Sequence, residues 1–228
     1  MADQFLTFRQ TLPQLVGVLR NMRPTYHFPN VAPLDASFFE DNALAGGIWD
    51  IDGTLMAYHA DDVALEFKSQ IRGLFQHGPG SHAILSNSNE ERFRALGNIF
   101  PEIPVIRGYR TPMGPVRRTL LGGTDTHTRA EIDDILNGGG QQIRKPSGLL
   151  IKFAMEEMGA DDPSRVIMVG DQYLTDVASA NLAGALSVKV PTYQRESFPN
   201  NIRFTQRLEG FVFKLLHGRE TRRMANKE

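Results

Sequence analysis

The chain has 228 residues, and 25 Lys and Arg against 26 Asp and Glu give a formal net charge of −1, so no overall field attracts nucleic acid or an anionic membrane. A hydrophobic share of 41% can fill the core of one α/β domain, and the lack of cysteine excludes disulfides, thiolate metal sites and cysteine nucleophiles. The sequence shows neither a signal-peptide pattern nor a bilayer-spanning apolar run, so we expect a cytoplasmic protein with no transmembrane segment and no nucleic-acid partner.

The first part of the chain, residues 1–40, is interpreted as an N-terminal helical extension. Apolar side chains recur at helical spacing between positions 5 and 19, namely Phe8, Leu12, Leu15, Val16 and Leu19. We expect this apolar face to pack on the core, as most such faces do. Binding of the face to a membrane surface or a partner protein is the alternative that the sequence leaves open.

Residues 41–195 alternate between short apolar runs, which predict strands, and segments with helical apolar spacing. The predicted order is a strand ending at Trp49, a helix ending near His77, a strand over 83–85, a helix over about 93–100, a strand over 103–106, a helix over 146–158, a strand over 166–169, a helix over about 175–183 and a strand over 185–190. Apolar strands separated by helices indicate a parallel sheet covered on both faces. We therefore predict a doubly wound, Rossmann-like α/β fold with three α/β/α layers.

Two segments depart from this alternation. Residues 107–144 contain scattered Gly and Pro and only a weak helical pattern near 130–136, so we predict a loop-rich insertion. Its arginines are interpreted as a solvated basic surface, with recognition of a second anionic group on a substrate as the alternative. Residues 196–228 are predicted to form a C-terminal extension with a basic tail after His217 that lacks regular structure.

Polar residues stand where predicted strands end or a helix starts, in four groups: Asp50 and Asp52, Ser86 and Asn87, Lys145, and Asp171 with Asp176. The carboxyl ends of parallel strands share one edge of the sheet, so we expect these groups to converge. Converging carboxylates repel unless a cation lies among them, and oxygen ligands without a His or Cys cluster favour Mg²⁺ over Zn²⁺. A lysine, a Ser-Asn turn and backbone N–H groups can hold a phosphate. The combination predicts phosphoryl transfer to an aspartate.

These groups resemble the four motifs of the haloacid dehalogenase (HAD) superfamily of aspartate-nucleophile phosphatases. The matching stretches are Asp50-Ile-Asp52-Gly-Thr54, Ser86-Asn87, Lys145-Pro146, and Gly170-Asp171 followed by Thr175-Asp176. Residues 86–90, 103–105 and 170–181 are similar to HAD subfamily IIIA, in particular the YqeG group and its mitochondrial phosphatidylglycerophosphatase relatives. The resemblance covers about residues 45–195 and implies a core without a large cap. In two respects the chain departs from the YqeG group: Gly53 replaces the usual Asn, and the insertion is longer.

The resemblance implies a Mg²⁺-dependent phosphatase that acts on a small-molecule or lipid phosphomonoester. Asp50 would attack phosphorus and form an aspartyl-phosphate, and Asp52 would serve first as general acid and then as general base. The Mg²⁺ ion would be held by Asp50, Asp171 and the backbone carbonyl of Asp52, with Asp176 orienting these ligands. The phosphate-binding residues would be Gly53, Thr54, Ser86, Asn87 and Lys145.

Two other functions are compatible with parts of this pattern. A phosphotransferase or mutase would keep the chemistry and change the acceptor, but it needs a lid that excludes water, and the short segment between the first two motifs argues against one. A catalytically silent HAD-like binding protein would be expected to lack Asp50 or Asp52, and both are present. The sequence does not identify the leaving group or the oligomeric state, and it leaves peripheral membrane association open.

Overall fold

The computed structural model describes residues 15–224, with side chains as far as residue 218. The strands in this range are β1 (Tyr26–His27), β2 (Gly46–Trp49), β3 (Ser81–Leu85), β4 (Val105–Thr111), β5 (Gly114–Leu121), β6 (Thr124–Asp125), β7 (Gln141–Ile143), β8 (Val166–Gly170) and β9 (Leu186–Lys189). The α-helices are α1 (Leu15–Arg20), α2 (Ala36–Asp41), α3 (Leu65–His77), α4 (Glu90–Ile99), α5 (Arg129–Asn137), α6 (Gly148–Met158), α7 (Ala178–Ala183) and α8 (Asn200–Met224). A π-helical turn over Tyr173–Val177 leads directly into α7.

All of these strands form one sheet with the order β1-β9-β8-β2-β3-β4-β5-β6, and β7 pairs with β4. The pairs from β1 to β4 along this order are parallel. Strand order reverses at β2, which lies between β8 and β3. The predicted doubly wound parallel sheet is therefore confirmed, and its switch point lies at the end of β2.

The central strands support a helical layer on each face of the sheet. Ile48 of β2 packs in one apolar cluster with Ile151 of α6, whereas the next residue, Trp49, packs in a second cluster with Ile71 of α3. This separation arises because successive side chains of a strand point to opposite faces. Every residue of β2 and β8 is buried, as expected for parallel strands covered on both sides. The predicted three layers are present.

The segment over 107–144 differs from the predicted loop-rich insertion. It contains most of β4, all of β5, β6, α5 and β7, and its strand pairs are antiparallel. Thr111 pairs with Gly114 to close the β4–β5 hairpin, and a capping box of Thr128 and Glu131 starts α5. The prediction was wrong because these strands carry Arg, Thr and Gly, whereas it required continuous apolar runs. Antiparallel strands at the edge of a sheet need only alternate burial.

Helix α8 forms most of the C-terminal extension. It continues to Met224, so the expectation of an unstructured tail after His217 is wrong up to that residue, and residues 225–228 lie outside the described range. Glu209 and Phe213 on its inner face are buried, and the ring of Phe213 stacks on Tyr173 with 3.9 Å between centroids. As far as residue 218, the helix exposes the large apolar side chains of Phe204, Leu208, Phe211, Leu215 and Leu216.

The predicted N-terminal helix is described only in part. Helix α1 begins at Leu15, and positions 5–14 of the prediction lie outside the described residues. Val18 and Met22 are fully buried, and the His217 ring contacts the Leu19 carbonyl at 2.9 Å, so α1 packs on the body of the protein. In the range that the structure covers, no helix combines the length and apolarity needed to cross a membrane.

Candidate functional site

The carboxyl ends of three neighbouring strands bring the predicted groups to one edge of the sheet. Trp49 of β2 pairs with Ile84 of β3 on one side and Val169 of β8 on the other. The residues that follow these strands, Asp50, Ser86 and Asp171, therefore leave the sheet side by side. The backbone N–H of Asp50 donates to the Val169 carbonyl at 2.9 Å, which fixes the point at which Asp50 turns away from the strand.

Lys145 connects the carboxylates at this edge. Its ammonium group donates to Asp50 Oδ1 at 2.5 Å, to Asp176 Oδ1 at 2.6 Å and to the Leu85 carbonyl at 2.9 Å. These contacts use all three N–H groups of a side chain that is only 2% exposed. Burial disfavours the charged form, but the two carboxylates outweigh it and raise the pKa of Lys145 above its ordinary value. Lys145 is therefore a fixed positive charge.

Asp50, Asp171 and Asp176 each offer a carboxylate oxygen within 4.8 Å of the others. Burial and the neighbouring carboxylates raise the pKa of Asp50 well above its ordinary value, although Lys145 offsets part of this effect. Burial, followed by the charge of Asp176, raises the pKa of Asp171 to about 6. The buried Lys189 and Glu209 also act on this cluster, so four carboxylates face two lysines, and the negative groups outnumber the positive ones.

The hydrogen bonds of the cluster indicate where a cation fits. Both oxygens of Asp176 are occupied, Oδ1 by Lys145 and Oδ2 by the Gln172 N–H at 3.1 Å. Asp171 Oδ2 accepts from the Thr192 hydroxyl at 2.7 Å, whereas its buried Oδ1 has no hydrogen-bond partner among the described residues. An unpartnered buried oxygen beside surplus carboxylates, with only oxygen donors, suits a hard divalent cation such as Mg²⁺.

Asn87 links the second predicted motif to the third. Its side-chain Nδ2 donates to the Lys145 carbonyl at 2.9 Å, and its Oδ1 accepts from the Lys145 N–H at 2.7 Å. This reciprocal pair fixes the backbone from which the Lys145 side chain extends. The hydroxyl of Ser86, by contrast, makes no hydrogen bond to any residue that the structure describes, so it is free to donate to a ligand.

Gly53 and Thr54 follow Asp50 in a tight turn. Gly53 has φ of 85°, and a Cβ at this position would lie 2.8 Å from the Phe198 ring and 3.1 Å from Asp171 Oδ2. Glycine is required both by this backbone conformation and by the close approach. The buried Thr54 hydroxyl donates to Asp50 Oδ2 over a long distance of 3.4 Å, which leaves this carboxylate oxygen weakly bound.

The carboxylate of Asp52 lies apart from the three-aspartate cluster. Arg92 of α4 binds both of its oxygens, with Nη2 at 2.6 Å from Oδ1 and Nε at 3.3 Å from Oδ2, and the His59 N–H donates to Oδ1 at 2.9 Å. Arg92 is not among the predicted site residues, because an arginine in the first turn of an amphipathic helix is usually solvent-exposed. Here Arg92 is 5% exposed.

Three arginines near the insertion are buried, and they hold the loop after β3. Arg107 donates to the Ser88 carbonyl at 2.6 Å, Arg144 donates to the Asn87 carbonyl at 2.9 Å, and Arg118 forms an ion pair with Glu90 at 2.8 Å. The interpretation of these three as solvated surface residues is therefore wrong. Their partners are protein groups, so they position the loop that contains Ser86.

The C-terminal segment contributes three polar side chains that the motif analysis missed. Thr192 and Gln206 donate to Asp171, and the buried Glu209 accepts from the Leu174 N–H at 2.5 Å. Glu209 also lies near the buried Lys189, whose ammonium group donates to the Val190 carbonyl at 2.6 Å. Gln206 and Glu209 could not be assigned to the site from the sequence, because they lie in the predicted C-terminal extension, outside the four motifs.

Glu209→Gln is expected to flatten the pH dependence of unfolding of the metal-free protein. Burial, with a further contribution from Asp171, raises the pKa of Glu209 to about 8. When a carboxyl has a higher pKa in the folded state, the unfolded chain releases its proton first, so stability falls as pH rises between the two pKa values. The unfolded value is about 4.3, so the wild type should lose at least roughly 5 °C in Tm relative to the variant between about pH 5 and pH 8.

Thermal unfolding of both proteins in EDTA across this range measures the difference. Gln retains the oxygen that accepts from Leu174, so the substitution removes the charge and keeps the contact. Glu91→Gln, at an exposed position of α4, is the matched control and should follow the wild type. Parallel pH curves for the wild type and Glu209→Gln would show that Glu209 ionises normally.

Comparisons with solved structures found only distant similarity. An uncharacterised protein from Listeria monocytogenes serotype 4b is 18% identical, with 68% of this chain and 85% of that chain covered and a TM-score of 0.41. A protein from Bacillus subtilis provisionally assigned as a p-nitrophenyl phosphatase is 16% identical, with 68% and 57% covered and a TM-score of 0.21. A p-nitrophenyl phosphatase from Archaeoglobus fulgidus is 20% identical, with 70% and 61% covered and a TM-score of 0.21. None of these TM-scores is high enough to support a functional argument.

The comparison with family models gives a more specific result. No curated protein matches the chain significantly. Residues 142–197, however, match the model of a HAD-hydrolase-like family. This stretch contains Lys145, Asp171 and Asp176, which meet Asp50 at the switch point of the sheet. Over this stretch, about a quarter of the chain, the protein is therefore similar to HAD-like hydrolases.

Proposed function

We propose that the protein is a Mg²⁺-dependent phosphatase that hydrolyses a phosphomonoester through an aspartyl-phosphate on Asp50. The observation that carries this proposal is the position of Asp50, whose Oδ1 is bound to Lys145 while Oδ2 has only a long contact with Thr54. A carboxylate with one oxygen fixed and the other weakly bound is oriented for attack on phosphorus. It lies where the strand order reverses, which is where ligands bind in this class of sheet.

The first half-reaction exchanges one P–O bond for another. The weakly bound oxygen of Asp50 forms a bond to phosphorus while the ester oxygen departs, and that oxygen needs a proton if it leaves as an alkoxide. The Ser86 hydroxyl and the Asn87 N–H are proposed to hold the transferring oxygens. The Gly53 N–H, which donates to the Met56 carbonyl at 2.8 Å, and the Lys145 ammonium group, whose three N–H groups all have protein acceptors, are proposed to join them by exchanging one of these contacts for a phosphate oxygen. Lys145 and Asn87 are already fixed by the contacts described above, so little ordering is needed when the substrate binds.

Asp50, Asp171 and the Asp52 carbonyl are proposed to hold the Mg²⁺ ion, which would neutralise charge between the nucleophile and the phosphate. Asp176 is proposed to orient these groups, because both of its oxygens are already hydrogen-bonded. The unpartnered Oδ1 of Asp171 is the group in the structure that most directly supports a bound cation.

Asp52 is proposed to protonate the leaving group and then to deprotonate the water that hydrolyses the aspartyl-phosphate. Its contacts with Arg92 and the His59 N–H fix the orientation of the carboxylate. For Asp52 to reach the leaving oxygen, substrate must either displace the Arg92 contact or bind on the side of the carboxylate that Arg92 leaves open. Arg92 therefore sets the resting position of the proposed acid and base.

The substrate is proposed to be a small-molecule or lipid phosphomonoester, and the assignment to the YqeG-like subgroup and to the cytoplasm remains part of this proposal. Phosphatase activity should depend on Mg²⁺, with removal by EDTA lowering the turnover of p-nitrophenyl phosphate by at least about 100-fold. Re-addition of Mg²⁺ should restore it, and Ca²⁺, which prefers more ligands at longer distances, should restore it less well.

Release of inorganic phosphate from p-nitrophenyl phosphate, phosphatidylglycerophosphate, sugar phosphates and nucleotides, with and without Mg²⁺, tests this proposal and ranks the substrates. The Asp50→Asn protein, prepared in the same way, controls for a contaminating phosphatase. Equal activity in EDTA and in Mg²⁺ would contradict the metal requirement. Transfer of the phosphoryl group to an added alcohol in preference to water would identify a phosphotransferase instead.

A further inference from the structure

Gln206 reaches the proposed cation site from α8, outside the segment that contains the four motifs. Its Nε2 donates to Asp171 Oδ2 at 3.3 Å, on the same oxygen that accepts from the Thr192 hydroxyl at 2.7 Å. These two donors hold Asp171 in one orientation and leave its Oδ1 without a partner. A residue of the C-terminal extension thus helps to decide which oxygen of Asp171 is available to a ligand.

The other end of the same amide is also unsatisfied. Gln206 Oε1 is buried and has no hydrogen-bond partner among the described residues. An amide oxygen beside a carboxylate is unfavourable unless a donor or a cation lies between them, because both groups are acceptors. Gln206 Oε1 and Asp171 Oδ1 are therefore two buried acceptors without a donor, on side chains that are hydrogen-bonded to each other.

A hydrated divalent cation would satisfy both acceptors. Mg²⁺ usually retains several of its water ligands in proteins, and these waters are strong hydrogen-bond donors. A cation bound to Asp171 Oδ1 would bring its water ligands to the carboxylate to which Gln206 is hydrogen-bonded. A side chain that both orients a ligand and accepts from a bound water belongs to the outer shell that tunes metal affinity.

We infer that Gln206 is a positioning residue of the cation site: its N–H orients Asp171, and its oxygen binds a water ligand of the divalent ion. The inference rests on the proposed Mg²⁺-dependent phosphatase and extends it, because it makes α8 part of the site. The cation would in turn stabilise the contact of α8 with the sheet edge, so metal binding and docking of this helix would be coupled.

The test compares Gln206→Leu with the wild-type full chain. Leu has a similar volume and removes both the donor and the acceptor. We expect the dissociation constant for Mg²⁺, measured by isothermal titration calorimetry at neutral pH, to rise by about 10- to 100-fold. The Tm in EDTA should stay the same or rise, because an unsatisfied buried acceptor is lost. Thr205→Leu, on the exposed side of the same helix, is the control and should bind Mg²⁺ like the wild type.

A purely structural role for Gln206 predicts the opposite pattern, a lower Tm in EDTA with unchanged Mg²⁺ affinity, and that result would overturn the inference. A second variant, Gln206→Glu, keeps the accepting oxygen, removes the donor and adds a negative charge that attracts the cation. Because the Thr192 hydroxyl still donates to Asp171 Oδ2 at 2.7 Å, the added charge should outweigh the lost donor, and the variant should bind Mg²⁺ at least as tightly as the wild type. Tenfold weaker binding by Gln206→Glu would also overturn the inference. If the wild type binds no Mg²⁺, the proposed function fails as well, whereas equal affinities for the wild type and Gln206→Leu reject only the role of Gln206.

Discussion

Asp50→Asn is expected to lower phosphatase turnover by about 10⁴-fold or more, because an amide is a poor nucleophile and no neighbouring group can replace its attack. The substitution should leave the fold intact. Asn is nearly the same size as Asp, and its amide oxygen can still accept the hydrogen bond from Lys145 that now ends at Oδ1. Activity should be measured by steady-state turnover of p-nitrophenyl phosphate at saturating Mg²⁺.

The same variant makes a second, independent prediction about stability. Burial and the neighbouring carboxylates raise the pKa of Asp50 well above its ordinary value, so its charge destabilises the folded metal-free protein. We therefore expect Asp50→Asn to have a higher Tm than the wild type in EDTA at pH 8, and to gain less from added Mg²⁺. Asp161→Asn, at an exposed position, should change neither quantity.

Turnover and Tm of Asp50→Asn test two different hypotheses, the nucleophilic role of Asp50 and the surplus negative charge of the site. Retained turnover in Asp50→Asn would exclude the covalent mechanism. A large fall in Tm in EDTA would mean that the Asp50 carboxylate stabilises the metal-free site through Lys145 more than it destabilises it by repulsion. In that case the surplus charge would not be the reason for cation binding, although the nucleophilic role could stand.

The parallel core could be predicted because its sequence pattern has few alternatives. Continuous apolar runs such as that of β8 are typical of strands covered on both faces, and intervening helices force parallel connections. Once the strands are parallel, topology alone brings the residues after them to one edge. This is why Asp50, Ser86 and Asp171 could be expected to lie together, although the sequence contains no information about their distances. Lys145 reaches the same edge differently, because it follows β7, which runs antiparallel to β4.

The insertion and α8 could not be predicted for related reasons. In the insertion, arginines such as Arg118 occupy buried positions, and their burial is stabilised by ion pairs with distant residues such as Glu90. For the C-terminal extension that contains α8 no helical face was predicted, so the residues that face the protein could not be named. The structure turns Gln206 and Glu209 inward and leaves Phe211 exposed. The hydrophobic pattern of a helix indicates which of its residues are apolar. Which face of the helix packs against the protein is determined by contacts with residues that are far away in the sequence.

The pairing of Arg92 with Asp52 could not be predicted either, because it joins residues that are 40 positions apart. Nothing in the local pattern of α4 marks this arginine as different from Arg94, which makes an exposed ion pair with Glu90 in the next turn. The consequence for function is direct. The proposed acid and base has a specific ion-pair partner, so any test of its role must separate loss of proton transfer from loss of the ion pair.

Asp52→Asn is expected to slow alkyl phosphates more than p-nitrophenyl phosphate in the phosphorylation step. An alkoxide needs a proton as it leaves, whereas p-nitrophenolate does not, and a missing proton transfer costs about 10²- to 10⁴-fold. Arg92→Gln is the matched control because it removes the same ion pair, which measures 2.6 Å, and leaves the Asp52 carboxyl in place. Both variants should lose stability, by about 3–5 kcal/mol for a buried pair, but only Asp52→Asn should discriminate between the leaving groups.

The second half-reaction, hydrolysis of the aspartyl-phosphate, tests the role of Asp52 as general base. Water must lose a proton before it can attack the aspartyl-phosphate, and this holds for every ester substrate. With p-nitrophenyl phosphate, Asp52→Asn should therefore form the phosphoenzyme quickly and hydrolyse it slowly, giving a burst of p-nitrophenolate followed by slow turnover. Rapid-quench kinetics with mass detection of a phosphate adduct on the peptide containing Asp50 measures both phases. Arg92→Gln should show no such burst. If Asp52→Asn slows both ester types equally and no adduct accumulates, Asp52 is not the acid and base, and its carboxylate serves only to hold Arg92.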